Sequence, residues 1–126
     1  MAALTPDLFF DAAICIQLRE ERALSVTFSS GGISIRFPTT RRLAEYLGVP
    51  HYYVLPVFGQ MEEEGLITRA ERVGISTTPT GTRKFVEIVG AKYRSEAIAI
   101  LGEPIYLEIE RKVRGMQDPQ PPAGKR

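Results

Sequence analysis

The chain has one histidine, His51, and one cysteine, Cys15. These two cannot build a zinc site by themselves. A lone imidazole removes most acid–base schemes. The sequence has no Gly-rich phosphate loop, no metal-ligand spacing and no nucleophile with a local partner. Its paired acids sit in charge runs such as Glu62-Glu63-Glu64, the usual mark of a solvated face. An enzyme, a cofactor and a metal are therefore not expected. What remains is recognition chemistry. Residues 36–94 carry nine basic against six acidic side chains, while the whole chain has a net charge of +1. That local excess points weakly to a polyanionic partner.

The stretch from Thr39 to Ile67 positions most of these groups. Thr39 or Thr40 can cap a first helix by accepting from a free backbone N–H. Leu43, Ala44 and Leu47 follow at helical spacing, and Gly48 supplies a left-handed end. Val49 lies inside the turn. A second helix carries Val54, Val57, Phe58 and Met61 as one buried stripe. Gly65 stops it, and Leu66-Ile67 begins an extended segment. Pro56 lies about one turn inside that second helix, where it kinks it, or else regular helix starts only near Leu55.

With 126 residues, 44% apolar and 25% charged, the chain reads as one soluble globular domain over residues 1–114. No apolar run approaches the ~18 residues of a membrane span. The beginning of the chain lacks the pattern of a signal peptide, so a cytoplasmic protein with no membrane partner is expected. Cys15 reads as core packing.

Thr5-Pro6-Asp7 opens an N-terminal helix running to about Leu24. Its first half is apolar on nearly all sides and asks for burial on two faces, the second against a C-terminal element or a second subunit. Residues 25–37 alternate as a hairpin, or a loop and one strand, around Ser-Ser-Gly-Gly. Residues 68–72 and 75–78 suggest a two-stranded wing carrying Arg69, Glu71 and Arg72. A helix capped by Thr80 follows, with Phe85, Ile88, Val89 and Tyr93 on one side. Residues 95–114 fit helices broken at Gly102-Glu103-Pro104, with a strand hairpin as the alternative. Pro104 and the stripe Ile105, Ile109, Val113 favour helix. Residues 115–126 are expected to be disordered.

This order resembles the winged helix-turn-helix superfamily of transcription regulators, with the MarR-like and PadR-like regulators nearest. The resemblance rests on Leu43-Ala44-Glu45-Tyr46-Leu47-Gly48-Val49, on Val54, on Met61-Glu62-Glu63-Glu64-Gly65-Leu66-Ile67, and on the Thr78-Pro79-Thr80-Gly81 turn. It covers residues 33–93. It implies an α+β winged helix-turn-helix fold, here with an extra N-terminal helix and a C-terminal extension at 95–114. It also implies a homodimer on double-stranded DNA, with the second helix of the motif in the major groove. His51, Tyr52, Tyr53 and Leu55 would then face the groove, beside Pro56 and Gly59. Thr39, Thr40, Arg41 and Arg42 would approach phosphates, and Arg69 and Arg72 would reach the backbone from the wing.

The reading helix departs from the family pattern. Base edges are usually met by Arg, Asn, Gln, Ser or Thr, and no Arg or Lys lies between Arg42 and Arg69. Phosphate and shape readout, stacking of Tyr52 and Tyr53 on bases, and a protein partner on the His51–Pro56 face all remain open. The plainer alternatives are a half-buried Tyr53 and a surface or capping His51.

Overall fold

The computed structural model describes residues 4–30, 32–70 and 74–116. Among these are six α-helices, one π-helical segment and four strands, an α+β arrangement with two separate antiparallel hairpins. Helix α1 (Pro6–Cys15) starts as its sequence requires: the Thr5 hydroxyl accepts from Leu8 N at 3.1 Å, and Pro6 and Asp7 occupy the first turn. After Cys15 it loosens into a π-helical segment, Ile16–Glu21. Ala23 N donates to Gln17 O at 2.9 Å, and Arg22 adopts a left-handed φ of 53° that turns the chain away. The helix therefore ends before the expected Leu24.

Helix α1 is filled on both faces by the chain itself. Phe9, Phe10, Ala12, Ala13, Ile14 and Cys15 are all buried, against α2 (Thr40–Leu47), α3 (His51–Glu63) and α4 (Pro79–Lys92). The expected second face for another subunit is thus taken up internally.

Strand β1 (Val26–Ser29) pairs with β2 (Gly32–Ile35) in the register Val26 to Ile35 and Ser29 to Gly32. Strand β2 puts Ile33 and Ile35 into the core, while Phe28 on β1 stays exposed. A second hairpin joins β3 (Ile67–Ala70) to β4 (Gly74–Thr77). The two hairpins meet where Arg36 bridges to Ser76 and Phe37 N donates to Ile75 O at 2.8 Å.

Five phenylalanines form the centre. Phe10 meets Phe37 and Phe85 edge-on, with ring centroids 5.2 and 6.5 Å apart, and Phe58 meets Phe9 and Phe37 at 5.8 and 6.0 Å. Such tilted contacts align positive ring edges with negative faces, which adds to area burial.

Inside this apolar core a short polar relay joins three elements. Ile35 N donates to Thr77 Oγ1 at 2.9 Å, Thr77 and Thr82 share a 2.6 Å hydroxyl contact, and Thr82 Oγ1 donates to Ile33 O at 2.8 Å. Thr77 and Thr82 are 2% and 0% exposed, so water cannot replace a lost partner. Thr82→Val keeps the shape but leaves Ile33 O and the Thr77 hydroxyl short of a bond. A loss of about 1–3 kcal/mol is expected in urea denaturation; an unchanged midpoint would refute the relay.

Helix α4 is capped by Thr78, not by the expected Thr80: the Thr78 hydroxyl accepts from Gly81 N at 3.1 Å. Pro79 then takes the first helical position, where its missing N–H costs nothing. Residues 94–115 are helical, as α5 (Arg94–Leu101) and α6 (Glu103–Gly115). In α6 the buried face is Tyr106, Ile109 and Val113, whereas Ile105, expected on that stripe, is 48% exposed. Helix α6 takes in Gly115, and Met116 beyond it is buried, so order extends past the expected boundary. Residues 117–126 lie outside the described residues.

Burial raises the phenol pKa of Tyr106 to about 12, with the nearby Glu110 carboxylate acting in the same direction. Among the described residues its hydroxyl meets no partner in full hydrogen-bond geometry.

Candidate nucleic-acid interface

Helices α2 and α3 are joined by a turn through Gly48, Val49 and Pro50. Gly48 holds a left-handed φ of 70°, and its N–H closes the last turn of α2. Thr39 is the cap at the other end of α2, accepting from Arg42 N at 3.1 Å. Leu43 and Ala44 face inward, as do Val54, Val57, Phe58 and Met61 of α3. Helix α3 is regular from His51 onward, so there is no looser lead-in, and Pro56 is accommodated within it. No side chain caps α3.

His51 ties the two helices together. Its Nε2 lies 2.7 Å from Thr40 Oγ1. Each helix thus contributes its first residue to one bond, and both groups are committed before any partner arrives. The Thr39 hydroxyl accepts in its cap and keeps its own O–H for donation.

The outer face of α3 is apolar and open. Tyr52 is 65%, Tyr53 52% and Leu55 41% exposed, and Pro56 is exposed beside them. Tyr53 keeps about half of its surface covered, and Tyr52 less. The two tyrosine rings stand edge to face at 4.8 Å. Tyr46 of α2, not singled out by its sequence, is also exposed. Nothing covers the face at Gly59, where a Cβ would meet no atom within 4 Å.

The arginines differ in how far they are engaged. Arg41 is exposed and makes no ion pair among the described residues. The Arg42 guanidinium meets Glu20 in a short contact and Glu21 at 3.9 Å; the bond to Glu20 pushes its pKa further up. Arg69 pairs with Glu62 at 3.2 Å and lies 5.7 Å over the ring of Phe58. Arg72 lies outside the described residues.

Thr39, Thr40, Arg41, Arg42 and His51 gather at the amino ends of α2 and α3, with Tyr52, Tyr53 and Leu55 on the adjoining turns. Arg69 stands apart, at the other end of α3: Glu62 is roughly 16 Å from His51 along the axis at 1.5 Å per residue. Arg36, absent from the expected set, is an exposed cation between β2 and α2 with no ion pair among the described residues. Its only signal in sequence was its place in the basic segment. Glu20 and Glu21, which neutralise Arg42, gave none, because their approach depends on the π-helical winding of a distant segment.

Among the described residues no group of His, Cys, Asp and Glu is arranged to hold a metal ion, and no helix is long and apolar enough to cross a membrane. No family model, curated protein or solved structure matches this chain, so its functional reading rests on this geometry.

Proposed function

We propose that the chain is a winged helix-turn-helix protein that binds double-stranded DNA as a homodimeric transcription regulator. The observation that carries this reading is the α2–α3 pair with an uncovered outer face on α3, followed directly by the β3–β4 hairpin. A helix so exposed fits the width of a major groove, and the hairpin supplies the wing.

The ion pairs of Arg42 and Arg69 do not argue against phosphate contacts. Their partners are half-exposed, and exposed pairs of this kind are worth about 0–1 kcal/mol. A phosphate can therefore replace Glu20 or Glu62 at little cost. Arg41 is available without exchange. Base contact from Tyr52 and Leu55 is apolar, suited to thymine methyl groups, and the rest of the selectivity comes from DNA shape. Ile105 on α6, 48% exposed, offers apolar surface for the second subunit.

Titration of duplex DNA at several salt concentrations tests this. Nanomolar binding to some sites is expected, with a salt slope set by several phosphates. Arg41→Ala should weaken binding evenly across sequences and lower the slope by about one. Absence of binding at ~50 mM salt would sink the reading, and a clean monomer in light scattering would sink the dimer.

A second reading, an adaptor that binds protein, is favoured by one observation: the exposed face of α3 carries Tyr52, Tyr53, Leu55 and Pro56 and no cation. Unimpaired DNA binding by Tyr52→Ala and Tyr53→Ala would favour this second use of the face.

A further inference from the structure

A cavity of about 350 Å³ lies between the π-helical segment, residues 36–38 and the first turn of α2. That volume is at the lower end of ligand pockets, about 300–1,000 Å³. The frame is held by bonds at three points. Arg36 N donates to Ser25 O at 3.0 Å, Phe37 N donates to Ile75 O at 2.8 Å, and Gln17 Nε2 donates to Arg36 O at 3.0 Å. Gln17 is 5% exposed, so a buried amide on the wall is fixed in orientation. Pro38 and Ile75 supply carbon surface. A frame already ordered spares a ligand much of the entropic cost of binding.

The charges lining this cavity are unequal. Arg42, Arg36 and Glu21 all line it. Arg42 already faces Glu20 and Glu21, while Arg36 makes no ion pair among the described residues. A cationic ligand would have to draw Glu21 away from Arg42 while approaching Arg36. An anion meets an uncompensated guanidinium, and a guanidinium binds acidic oxygens through paired hydrogen bonds.

We propose that this cavity binds a small organic anion, its acidic head at Arg36 and a short apolar body on Pro38 and Ile75. The head is a carboxylate or a phosphate monoester, which present the same acidic oxygens to the arginine. The site stands whether or not the chain binds DNA.

The test is an amide chemical-shift titration of the full chain at constant ionic strength, with hexanoate and butyl phosphate as separate probes and hexanamide as the neutral counterpart. Saturable shifts at Arg36, Phe37, Thr39 and Ile75 are expected for at least one anion, with a dissociation constant on the order of 1 mM or tighter. Hexanamide should bind at least about tenfold more weakly than hexanoate if the carboxylate is the head. Arg36→Gln should weaken the bound anion at least about tenfold, the loss of one charge-assisted contact. Arg111→Gln, on the exposed face of α6, should change nothing. Since Arg36 holds the frame through its backbone, its spectrum should otherwise stay that of the folded chain. No saturable shift with either anion, or an unchanged constant in Arg36→Gln, overturns the proposal. So does hexanamide binding as well as hexanoate when butyl phosphate gives no saturable shift.

Discussion

Replacing Phe58 by alanine should cost about 3–5 kcal/mol in denaturant unfolding, enough to unfold much of a domain whose whole stability is of order 5–15 kcal/mol. Phe58 is fully buried, and its ring packs on Phe9 and Phe37 while Arg69 lies over it. Truncation removes the contact that joins α3 to α1 and to the segment before α2. The cavity left behind cannot collapse easily, because its walls come from three separate elements. Phe58→Leu, which keeps most of the volume, should cost much less. Equal losses for the two variants would mean that the site tolerates a void, contrary to the packing described.

Gly81→Ala is expected to be comparably harmful for a different reason. A Cβ at position 81 would lie 1.8 Å from the carbonyl oxygen of Leu66. That oxygen belongs to the backbone and also accepts from Thr78 N at 3.2 Å, so it cannot move aside without breaking the junction of α4 with the start of β3. The Thr78 hydroxyl donates to Gly65 O at the same junction. Overpacking of this kind costs about 1–3 kcal/mol and sometimes more, and here the obstacle is main chain, so the upper end is expected. A fall in thermal midpoint smaller than that of Thr82→Val would show that α4 can slide away from Leu66.

The parts of the fold legible in sequence are those decided within a few residues. The stripe Val54, Val57, Phe58, Met61 is buried as its spacing required, and Thr39 and Gly48 bound α2 as cap and stop. Residues 95–114 are ambiguous in sequence because Ile105, Leu107 and Ile109 alternate like a strand. Tyr106, Ile109 and Val113 bury instead, and no strand pattern would place those three together. The candidate interface was legible only as a list of residues. Its exposed tyrosines come from helical spacing, but the state of each charged or hydroxyl group depends on a partner far away in the chain. Arg42 is met by Glu20 and Glu21, and Thr40 by His51. Side chains that meet across such separations leave no local pattern; the cap of α4 differs, since Thr78 and Thr80 are both local candidates and Pro79 at the first helical position decides for Thr78.

The π-helical segment at Ile16–Glu21 alters the direction in which the following residues point. An α-helix turns through a full circle every 3.6 residues, whereas i→i+5 winding turns less per residue. Carried over this segment, the lag amounts to about one residue, the equivalent of a single insertion absorbed without a loop. α-Helical winding over the same residues would rotate Glu20 and Glu21 away from Arg42 by about one residue's turn, whereas shortening the segment by one residue would remove the lag and leave the two carboxylates pointing much as they do. The electrostatic state of the α2 amino end is thus set by the winding of another helix, whose wider turns absorb one residue and keep both carboxylates in reach of Arg42.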